Sequence, residues 1–493
     1  MITIPNTVIK KQPNFWNHIL FHPTDAIEDP WGKRILDRVA QDGAAKTIRI
    51  YTMFEDIVYT DENGALLYDF RLSDLRIDYL LEKGLDPLLA FGGIPDCIAA
   101  STKNKTSVSK NKTRYKGKLW NSAPPRDYAL WEEVCYQYVK HLVERYGIER
   151  VSQWRCQCFN EPDVNTFFLS ELPGGPEASL EYRLPAYCKL YEAFEHGIRR
   201  VSDAIPIGGP ALAHHRAFLG GWLDYVREHD LKVDFVSVHN YGFNLQRNKP
   251  NPLPCVANNL RNHADHVKIV TEHGFGHLPL VVDEWGICTG GFVNREDAPI
   301  TMMRETELFS AYYAKLVHQF VASGYAIDKL IICLSGQHEM TEDFTGFRNF
   351  FTLNFIAKPI YNAYILASRL KENLLSVTND GDLFMLATGD DKGGRAVLLT
   401  YADENLTDDL PAREETFTFD GDVSGKTVTL CCIDKENTHP YRLWERKGFP
   451  AMDERVIMEL REEGQLKPVT VKNAAAGIKL NLTANCTYLI TVE

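Results

Sequence analysis

Two glutamates each follow an apolar stretch that is typical of a buried strand. Glu161 comes directly after Ser152–Phe159 and Asn160, and Glu284 comes after Leu278–Asp283. A pair of carboxylates at one end of a sheet can share the hydrolysis of a glycosidic bond, one as proton donor and the other as nucleophile. The sequence therefore predicts Glu161 and Glu284 as a catalytic pair.

The neighbours of these glutamates also suit contact with a sugar. Asn160 carries both a hydrogen-bond donor and an acceptor, and Pro162 turns the chain because it cannot extend a strand. Phe159 and Trp285 are aromatic residues beside the predicted pair. We predict Asn160, Phe159 and Trp285 as substrate-binding residues.

Elements that can position the two glutamates alternate along residues 14–370. Short apolar runs, several without a polar face, are separated by long amphipathic segments such as Ala129–Tyr146 and Leu180–Val201. The eight runs are Phe15–Phe21, Thr47–Tyr51, Pro87–Phe91, Ser152–Phe159, Ile205–Gly209, Asp234–His239, Leu278–Asp283 and Lys329–Leu334. This pattern predicts an α/β fold, a (β/α)8 TIM barrel whose active site lies at the C-terminal ends of the strands. A doubly wound sheet is the alternative, but no glycine-rich phosphate turn follows the first strand.

Beyond Leu370 the pattern changes to short strands separated by turns, for example Asn379-Asp380-Gly381. Residues 371–493 are therefore predicted to form a C-terminal all-β sandwich domain. The strand-like segment within residues 1–13 can add a strand to it. We divide the chain into a catalytic barrel, 14–370, and an accessory sandwich, 371–493.

Composition narrows the classes of function. The chain has 493 residues, 54 Lys plus Arg and 66 Asp plus Glu, so its net charge of −12 disfavours nucleic-acid binding. There is no 18-residue apolar run and no secretory signal, and eleven cysteines without a zinc spacing indicate reduced thiols. We expect a cytoplasmic protein with no membrane partner and no cofactor. We also expect no metal site, since the pairs His214/His215 and His273/His277 lack a favourable arrangement.

The ordered set of motifs resembles glycoside hydrolase family 39, the β-xylosidase and α-L-iduronidase family of clan A. The resemblance covers most of residues 14–370. It is carried by Glu144–Gly147, Trp154–Phe168, Ile207–Pro210, Asp234–Tyr241, Val282–Trp285 and Lys358-Pro359. It implies that Glu161 is the acid/base, that Glu284 is the nucleophile, and that Asn160 binds the sugar 2-hydroxyl.

The resemblance further implies that Arg49 lies beside the nucleophile and that His239 and Tyr241 line the cleft. A guanidinium near Glu284 would keep that carboxylate ionised, as a nucleophile requires. A purely structural ion pair for Arg49 and a core position for Tyr241 remain open. Tyr241 would otherwise hydrogen-bond Glu284.

Three features depart from the family pattern. Phe159 replaces the usual Trp, and the chain after strand eight, Leu334–Glu339, lacks the Trp-rich segment of the xylosidases. Tyr241 stands where iduronidases bring a Lys toward the substrate carboxylate, which favours neutral pentosides. The basic loop 101–118, with six Lys and one Arg, points instead to acidic substituents on a polysaccharide.

These observations predict a retaining exo-glycosidase that acts on short plant-type oligosaccharides, with β-xylosidase as the first choice. The alternatives are an α-L-arabinosidase or a uronide-releasing enzyme of the same clan. An alternative of another class is a non-catalytic carbohydrate-binding protein. A homo-oligomer is also left open, because the sequence identifies no interface.

Overall fold

The structure is a computed structural model that describes residues 1–21, 27–106, 120–245, 254–335 and 340–493. Most of the predicted basic loop, residues 107–118, lies outside the described residues. Four residues after the eighth barrel strand, 336–339, also lie outside them.

Eight parallel strands close into a barrel, as the alternating pattern predicted. The strands of the first 340 residues are β1 (Ile2–Ile4), β2 (Lys10–Lys11), β3 (His18–Phe21), β4 (Thr47–Met53), β5 (Val58–Thr60), β6 (Leu66–Tyr68), β7 (Asp86–Gly92), β8 (Lys105–Thr106), β9 (Trp120–Asn121), β10 (Arg155–Cys158), β11 (Ile207–Leu212), β12 (Phe235–Tyr241), β13 (Leu280–Gly286) and β14 (Lys329–Leu334). The barrel runs β3, β4, β7 and β10 to β14, and β14 pairs with β3 to close it. The predicted (β/α)8 fold is confirmed.

Helices cover the outside of this barrel. They are α1 (Pro30–Asp42), α2 (Arg71–Glu82), α3 (Tyr128–Tyr146), α4 (Ile148–Val151), α5 (Pro176–Ala178), α6 (Leu184–Arg199), α7 (Arg216–Glu228), α8 (Val256–Glu272), α9 (Glu307–Ser323) and α10 (Pro359–Ser368). At the start of α3 the Asp127 side chain accepts a hydrogen bond from the Ala129 amide at 3.0 Å, a typical N-terminal cap. The helix predicted from Leu180 begins at Leu184, after a π-helical turn over Ser179–Arg183.

The C-terminal region forms two packed sheets. Its strands are β15 (Asn373–Asp380), β16 (Leu383–Gly389), β17 (Arg395–Tyr401), β18 (Arg413–Phe419), β19 (Val428–Ile433), β20 (Val469–Thr470), β21 (Ile478–Leu482) and β22 (Cys486–Val492). One sheet has the order β2-β15-β16-β17-β22-β19-β20 and the other β1-β18-β21. Ile4 and Phe417 from the small sheet share a buried cluster with Leu399 and Ile490 from the large one. The N-terminal segment thus gives one strand to each sheet.

The sandwich is not entirely β. Two helices, α11 (Pro440–Arg446) and α12 (Glu454–Glu463), stand between β19 and β20. The Asp453 carboxylate accepts a hydrogen bond from the Val456 amide at 2.8 Å, and Val456 and Leu460 are buried on the inner face of α12. The prediction of an all-β domain was wrong at this point. The sequence did contain a helix signal, namely the acidic cap Asp453 before an amphipathic run.

The large sheet packs its outer face against the barrel. Leu386, Leu398 and Leu489 from this face belong to the same buried cluster as the barrel interior. On the barrel side, Lys315 of α9 donates a hydrogen bond to the Asp403 carbonyl oxygen at 2.8 Å. One continuous core therefore holds the barrel and the sandwich together. Among the described residues, no helix is both long enough and apolar enough to cross a membrane.

Candidate active site

A cavity of about 950 Å³ opens at the C-terminal ends of the barrel strands. Five of the residues predicted from sequence line it, namely Asn160, Glu161, His239, Tyr241 and Glu284. They come from the ends of β10, β12 and β13, three separate strands. This is the face on which barrel enzymes place their reactive groups, so the cavity is the candidate active site.

An irregularity in β13 turns two successive acidic side chains inward. Side chains normally alternate between the two faces of a strand, so Asp283 and Glu284 would point in opposite directions. The pairing of β13 with β12 changes register between Val238 and His239, opposite this position. A β-bulge of this kind re-aims side chains, and both carboxylates contact the same buried guanidinium.

Four groups surround the carboxylate of Glu284. Arg49 Nη1 lies 3.0 Å from Oε1, and the Tyr51 hydroxyl donates to the same oxygen at 3.1 Å. The Tyr241 hydroxyl donates to Oε2 at 2.7 Å, and His239 Nδ1 lies 3.6 Å from that oxygen. Glu284 is 7% exposed, and its exposed part faces the cavity.

The environment holds Glu284 in its charged form. Burial alone would raise its pKa, but the charges of His239, Arg49 and Arg348 and the hydrogen bond from Tyr241 together lower the pKa well below its usual range. A carboxylate that stays ionised although it is largely buried can act as a nucleophile.

Glu161 has the opposite electrostatic character. Burial raises its pKa, and the negative charge of Glu284 raises it further against the opposing effect of His239. His239 Nδ1 lies 2.9 Å from Glu161 Oε1. Burial would lower the pKa of His239, but Glu284 and Asp283 raise it well above its usual range. A charged His239 can therefore donate to one oxygen of Glu161 while the other oxygen carries the proton.

The backbone around Glu161 is unusual. Phe159 and Glu161 have positive φ angles of 67° and 46°, a region that residues other than glycine rarely adopt. The Phe159 amide donates to the Phe91 carbonyl oxygen at 2.7 Å, and the Glu161 amide donates to that of Ala211 at 3.0 Å. These bonds to two neighbouring strand ends fix the strained segment, as is common at functional sites.

A buried polar network lies beneath the two glutamates. Arg49 donates to Gln157 Oε1 at 2.8 Å and to Asn160 Oδ1 at 2.9 Å, and its Nη2 lies 3.1 Å from Asp283 Oδ2. Gln157 in turn donates to Asp283 at 2.6 Å. Arg49 is fully buried and does not line the cavity, so it positions Glu284 and Asn160 from below.

Two residues that sequence analysis assigned to substrate binding lie elsewhere. Trp285 is fully buried, donates to the Tyr364 hydroxyl at 3.1 Å and stacks on Tyr313, because it follows Glu284 and faces the helices. Phe159 is also fully buried and packs edge-to-face against Trp120 and Phe168. Both assignments are corrected, since neither residue lines the cavity.

Several cavity-lining residues were not predicted from the sequence, among them Tyr51, Cys333 and Arg348. Tyr51 was detectable, because it stands two positions after Arg49 and strand periodicity places both on one face. Arg348 lies over the Tyr241 ring, 4.7 Å from its centre, and lines the cavity with Cys333. Arg348 comes from the chain after β14, where no local pattern indicates a site.

In the described part of the chain, two separate groups of side chains each bring potential metal-ligand atoms close together. In Asp163/His214/His215 and in Glu161/His239/Glu284, the ligand atoms lie within 4.8 Å of one another. Asp163 already accepts three backbone hydrogen bonds, from residues 213–215, at 2.8 to 3.0 Å. The second group shows that an oxygen of Glu161 lies within 4.8 Å of one of Glu284.

Comparison with known proteins gives a family match over most of the chain. The family model described as glycosyl hydrolases family 39 matches residues 2–476. A β-xylosidase of Caldicellulosiruptor saccharolyticus is 24% identical over 468 residues, which cover 90% of this chain and 87% of that protein. An α-L-iduronidase of Canis lupus familiaris is 24% identical over 213 residues, 41% of this chain and 28% of that protein.

The fold has close solved counterparts. The crystal structure of a monomeric β-xylosidase from Caulobacter crescentus CB15 matches with a TM-score of 0.82 and 19% identity. The match covers 100% of this chain and 99% of that one. The similarity therefore extends over the barrel and the sandwich together.

Proposed function

Because this chain belongs to glycosyl hydrolases family 39 and is a glycoside hydrolase, we propose that it is a retaining β-xylosidase acting from the ends of short oligosaccharides. The single observation that carries the mechanism is the pair Glu161 and Glu284. Their oxygens approach within 4.8 Å, and their pKa values are shifted in opposite directions. Retaining enzymes need carboxyl groups about 5–5.5 Å apart, whereas inverting ones need room for a water at about 6.5–9.5 Å.

In the first step, a carboxylate oxygen of Glu284 attacks the anomeric carbon and the bond from that carbon to the glycosidic oxygen breaks. Glu161 gives its proton to the departing oxygen, which leaves as an alcohol. The sugar is then esterified to Glu284. Asn160, held by Arg49, can bond a sugar hydroxyl through its amide nitrogen.

The second step uses the same residues with reversed proton transfer. Esterification removes the negative charge of Glu284, which had raised the pKa of Glu161. The pKa of Glu161 therefore falls, and this residue accepts a proton from the water that attacks the anomeric carbon. The ester bond breaks, the sugar leaves with its original configuration, and both glutamates regain their starting state.

The choice of xylose is supported by the relative from Caldicellulosiruptor, which is named a β-xylosidase and aligns with 90% of this chain.

The cytoplasm is the proposed location, since all eleven cysteines are free thiols.

A uronide-releasing activity is a second candidate, favoured by one observation. Arg348 is 4% exposed and lines the cavity beside Tyr241. Among the described residues, no carboxylate lies within 4.0 Å of its guanidinium, which instead donates to Cys333 Sγ at 2.9 Å. A cation in this position could pair with the carboxylate of a uronic acid.

A panel of aryl glycosides tests the proposal directly. The panel contains β-D-xyloside, α-L-arabinoside, α-L-iduronide and β-D-glucuronide, all with one leaving group. Preferential turnover of the xyloside supports the first candidate, and turnover of uronides alone would replace it with the second. NMR of the first product must show the starting anomer, since the opposite anomer would contradict the double displacement.

A further inference from the structure

One side of the cavity is lined by basic side chains. They come from the segment after β11 and from α8, and we call them the basic flank. Its members are His214, His215, Arg216, Arg261 and His266. The chain as a whole has a net charge of −12, so two arginines and three histidines on one side of a cavity are a local departure from its acidic character.

The basic flank lies next to the predicted proton donor. Asp163, two residues after Glu161, accepts hydrogen bonds from the backbone amides of Ala213, His214 and His215 at 2.8, 2.9 and 3.0 Å. These bonds tie the segment before Arg216 to the loop that carries Glu161. Since the donor protonates the departing oxygen, the leaving group extends toward this side of the cavity.

The two arginines of the flank are only weakly neutralised. Among the described residues, no carboxylate lies within 4.0 Å of Arg261, whose guanidinium donates to the Asn258 side chain. Arg216 donates to Asn262 Oδ1 at 2.9 Å and lies 3.5 Å from Asp265, whose side chain is 60% exposed. Both guanidinium groups therefore retain charge that a bound anion can use.

His266 is the strongest sign of a binding site. Its side chain is 1% exposed and lines the cavity, and neither ring nitrogen has a hydrogen-bond partner within the described ranges. Buried polar groups are nearly always paired, and the place of this imidazole at the cavity wall allows a group that enters the cavity to supply the partner. A neutral imidazole offers one donor and one acceptor to such a ligand.

We propose that the basic flank binds an oxyanion on the leaving group, either a carboxylate or a phosphate of an acidic aglycone. Arg261 and Arg216 pair with the anion, and His266 bonds a neighbouring hydroxyl group of the aglycone. The proposal rests on the function proposed above in one respect, the role of Glu161 as proton donor. It assigns the substrate as an acidic, not a neutral, oligosaccharide.

Leaving-group selectivity tests this proposal. The substrates are two aryl glycosides of the preferred sugar, one with a 3-carboxyphenyl and one with a 3-carbamoylphenyl leaving group. The ratio of their kcat/KM values is compared between wild type, Arg261→Gln and Arg455→Gln. The two leaving groups differ in chemical reactivity, but this difference is the same for every variant and cancels when the ratios are compared. Arg455 is an exposed arginine of α12 and serves as the matched control.

We expect Arg261→Gln to lower the preference for the carboxylate about three- to tenfold and Arg455→Gln to leave it unchanged. At about 1 M NaCl, where the Debye length is about 3 Å, the wild-type preference should shrink toward that of Arg261→Gln. An identical ratio in wild type and Arg261→Gln would overturn the proposal.

Binding without turnover separates this proposal from the proposed function. Calorimetric titrations of wild-type protein use D-glucuronate, inorganic phosphate and D-glucose. Tighter binding of glucuronate identifies a carboxylate as the ligand group, and tighter binding of phosphate identifies a phosphate. In either case Arg261→Gln must weaken the preference over glucose. The proposal fails if neither glucuronate nor phosphate binds more tightly than glucose. It also fails if Arg348→Gln removes the preference for the anion and Arg261→Gln does not. Both outcomes are independent of which glycoside the enzyme cleaves.

Discussion

Two clusters of buried charge differ in what their carboxylates face. The active-site cluster consists of Arg49, His239, Asp283 and Glu284. The interface cluster, between barrel and sandwich, consists of Glu305, Glu307, Lys358 and His439. In the interface cluster, Lys358 Nζ lies 2.6 Å from Glu305 Oε1 and His439 Nε2 lies 2.6 Å from Glu307 Oε2, with all four side chains nearly inaccessible.

Electrostatics alone does not separate these two clusters. Burial would raise the pKa of Glu307, but His439 and Arg442 lower it to about 2, and the pKa of Glu284 is lowered in the same way. The difference is the cavity, which Glu284 lines and the interface carboxylates do not. A depressed pKa marks a well-paired carboxylate, and access to a cavity makes it available for chemistry.

The largest effect is expected on kcat/KM, when one glutamate of each cluster is replaced in turn. Glu284→Gln should lower kcat/KM by at least about 10⁴-fold, the scale seen when a catalytic group is removed. Glu307→Gln should instead lower the melting temperature and leave kcat/KM nearly unchanged. Steady-state kinetics and thermal unfolding of both variants check this contrast.

Chemical rescue supplies the control for the nucleophile. Azide should restore turnover to Glu284→Ala and yield the glycosyl azide of inverted configuration, because the small anion attacks from the vacated side. Wild-type activity in Glu284→Ala would show that another residue is the nucleophile.

The next effect concerns the interface cluster. Lys358→Met leaves the Glu305 carboxylate buried without its cation, and breaking a buried pair in this way costs about 3–5 kcal/mol. Urea unfolding measures the change in the free energy of unfolding. Lys467→Met is the matched control, since Lys467 pairs with Glu463 at 3.0 Å but is 58% exposed, and exposed pairs contribute little. Equal effects in the two variants would contradict a stabilising role for the buried pair.

The sequence predicted the barrel and the two glutamates of the active-site cluster, because both follow from the pattern of apolar residues along single strands. Buried parallel strands give apolar runs, so the barrel and the strand-end position of Glu161 follow from periodicity. For Glu284, the predicted strand stopped at Asp283, whereas β13 continues to Gly286. The bulge that turns both carboxylates inward is a property of strand pairing and leaves no signal in one strand's sequence.

The residues that sequence analysis misplaced share a different cause. Trp285 and Phe159 stand next to site residues in the chain, but alternation and a positive φ direct them into the core. Arg348 and the pairing of Glu307 with His439, 132 residues away, depend on tertiary packing. Aromatic type and proximity in sequence therefore predict a sugar contact poorly, whereas two-residue spacing along a strand would have identified Tyr51.

Acid pH should weaken the interface cluster by a smaller amount. The pKa of Glu307 is about 2 in the folded protein, against about 4.3 for an unperturbed glutamate in the unfolded chain. A lowered folded pKa gives stability that is present above the unfolded value and is lost as the pH falls toward 2. The contribution is about 3 kcal/mol.

Denaturant unfolding at a series of pH values between about 6 and 2.5 measures this loss in wild type and Glu307→Gln. The variant lacks the titrating group, so its stability should fall less steeply with acid than that of wild type. Parallel curves for the two proteins would show that Glu307 is not the group responsible.

The smallest effects return to the active site and compare its two tyrosines. Tyr241 donates to Glu284 Oε2 at 2.7 Å and is one of the groups that lower the pKa of Glu284, whereas Tyr51 donates at 3.1 Å to Oε1, which Arg49 already contacts. A hydrogen bond to a charged group contributes about 1.5–3 kcal/mol, so Tyr241→Phe should lower kcat/KM about 10- to 100-fold. It should also move the acid limb of the pH profile upward, because the pKa of Glu284 rises. Tyr51→Phe should cost only about three- to tenfold and leave that limb in place, since Arg49 continues to stabilise the same oxygen. If Tyr51→Phe shifted the limb as far as Tyr241→Phe does, the hydroxyl of Tyr51 would be as necessary as the guanidinium beside it for keeping Glu284 ionised.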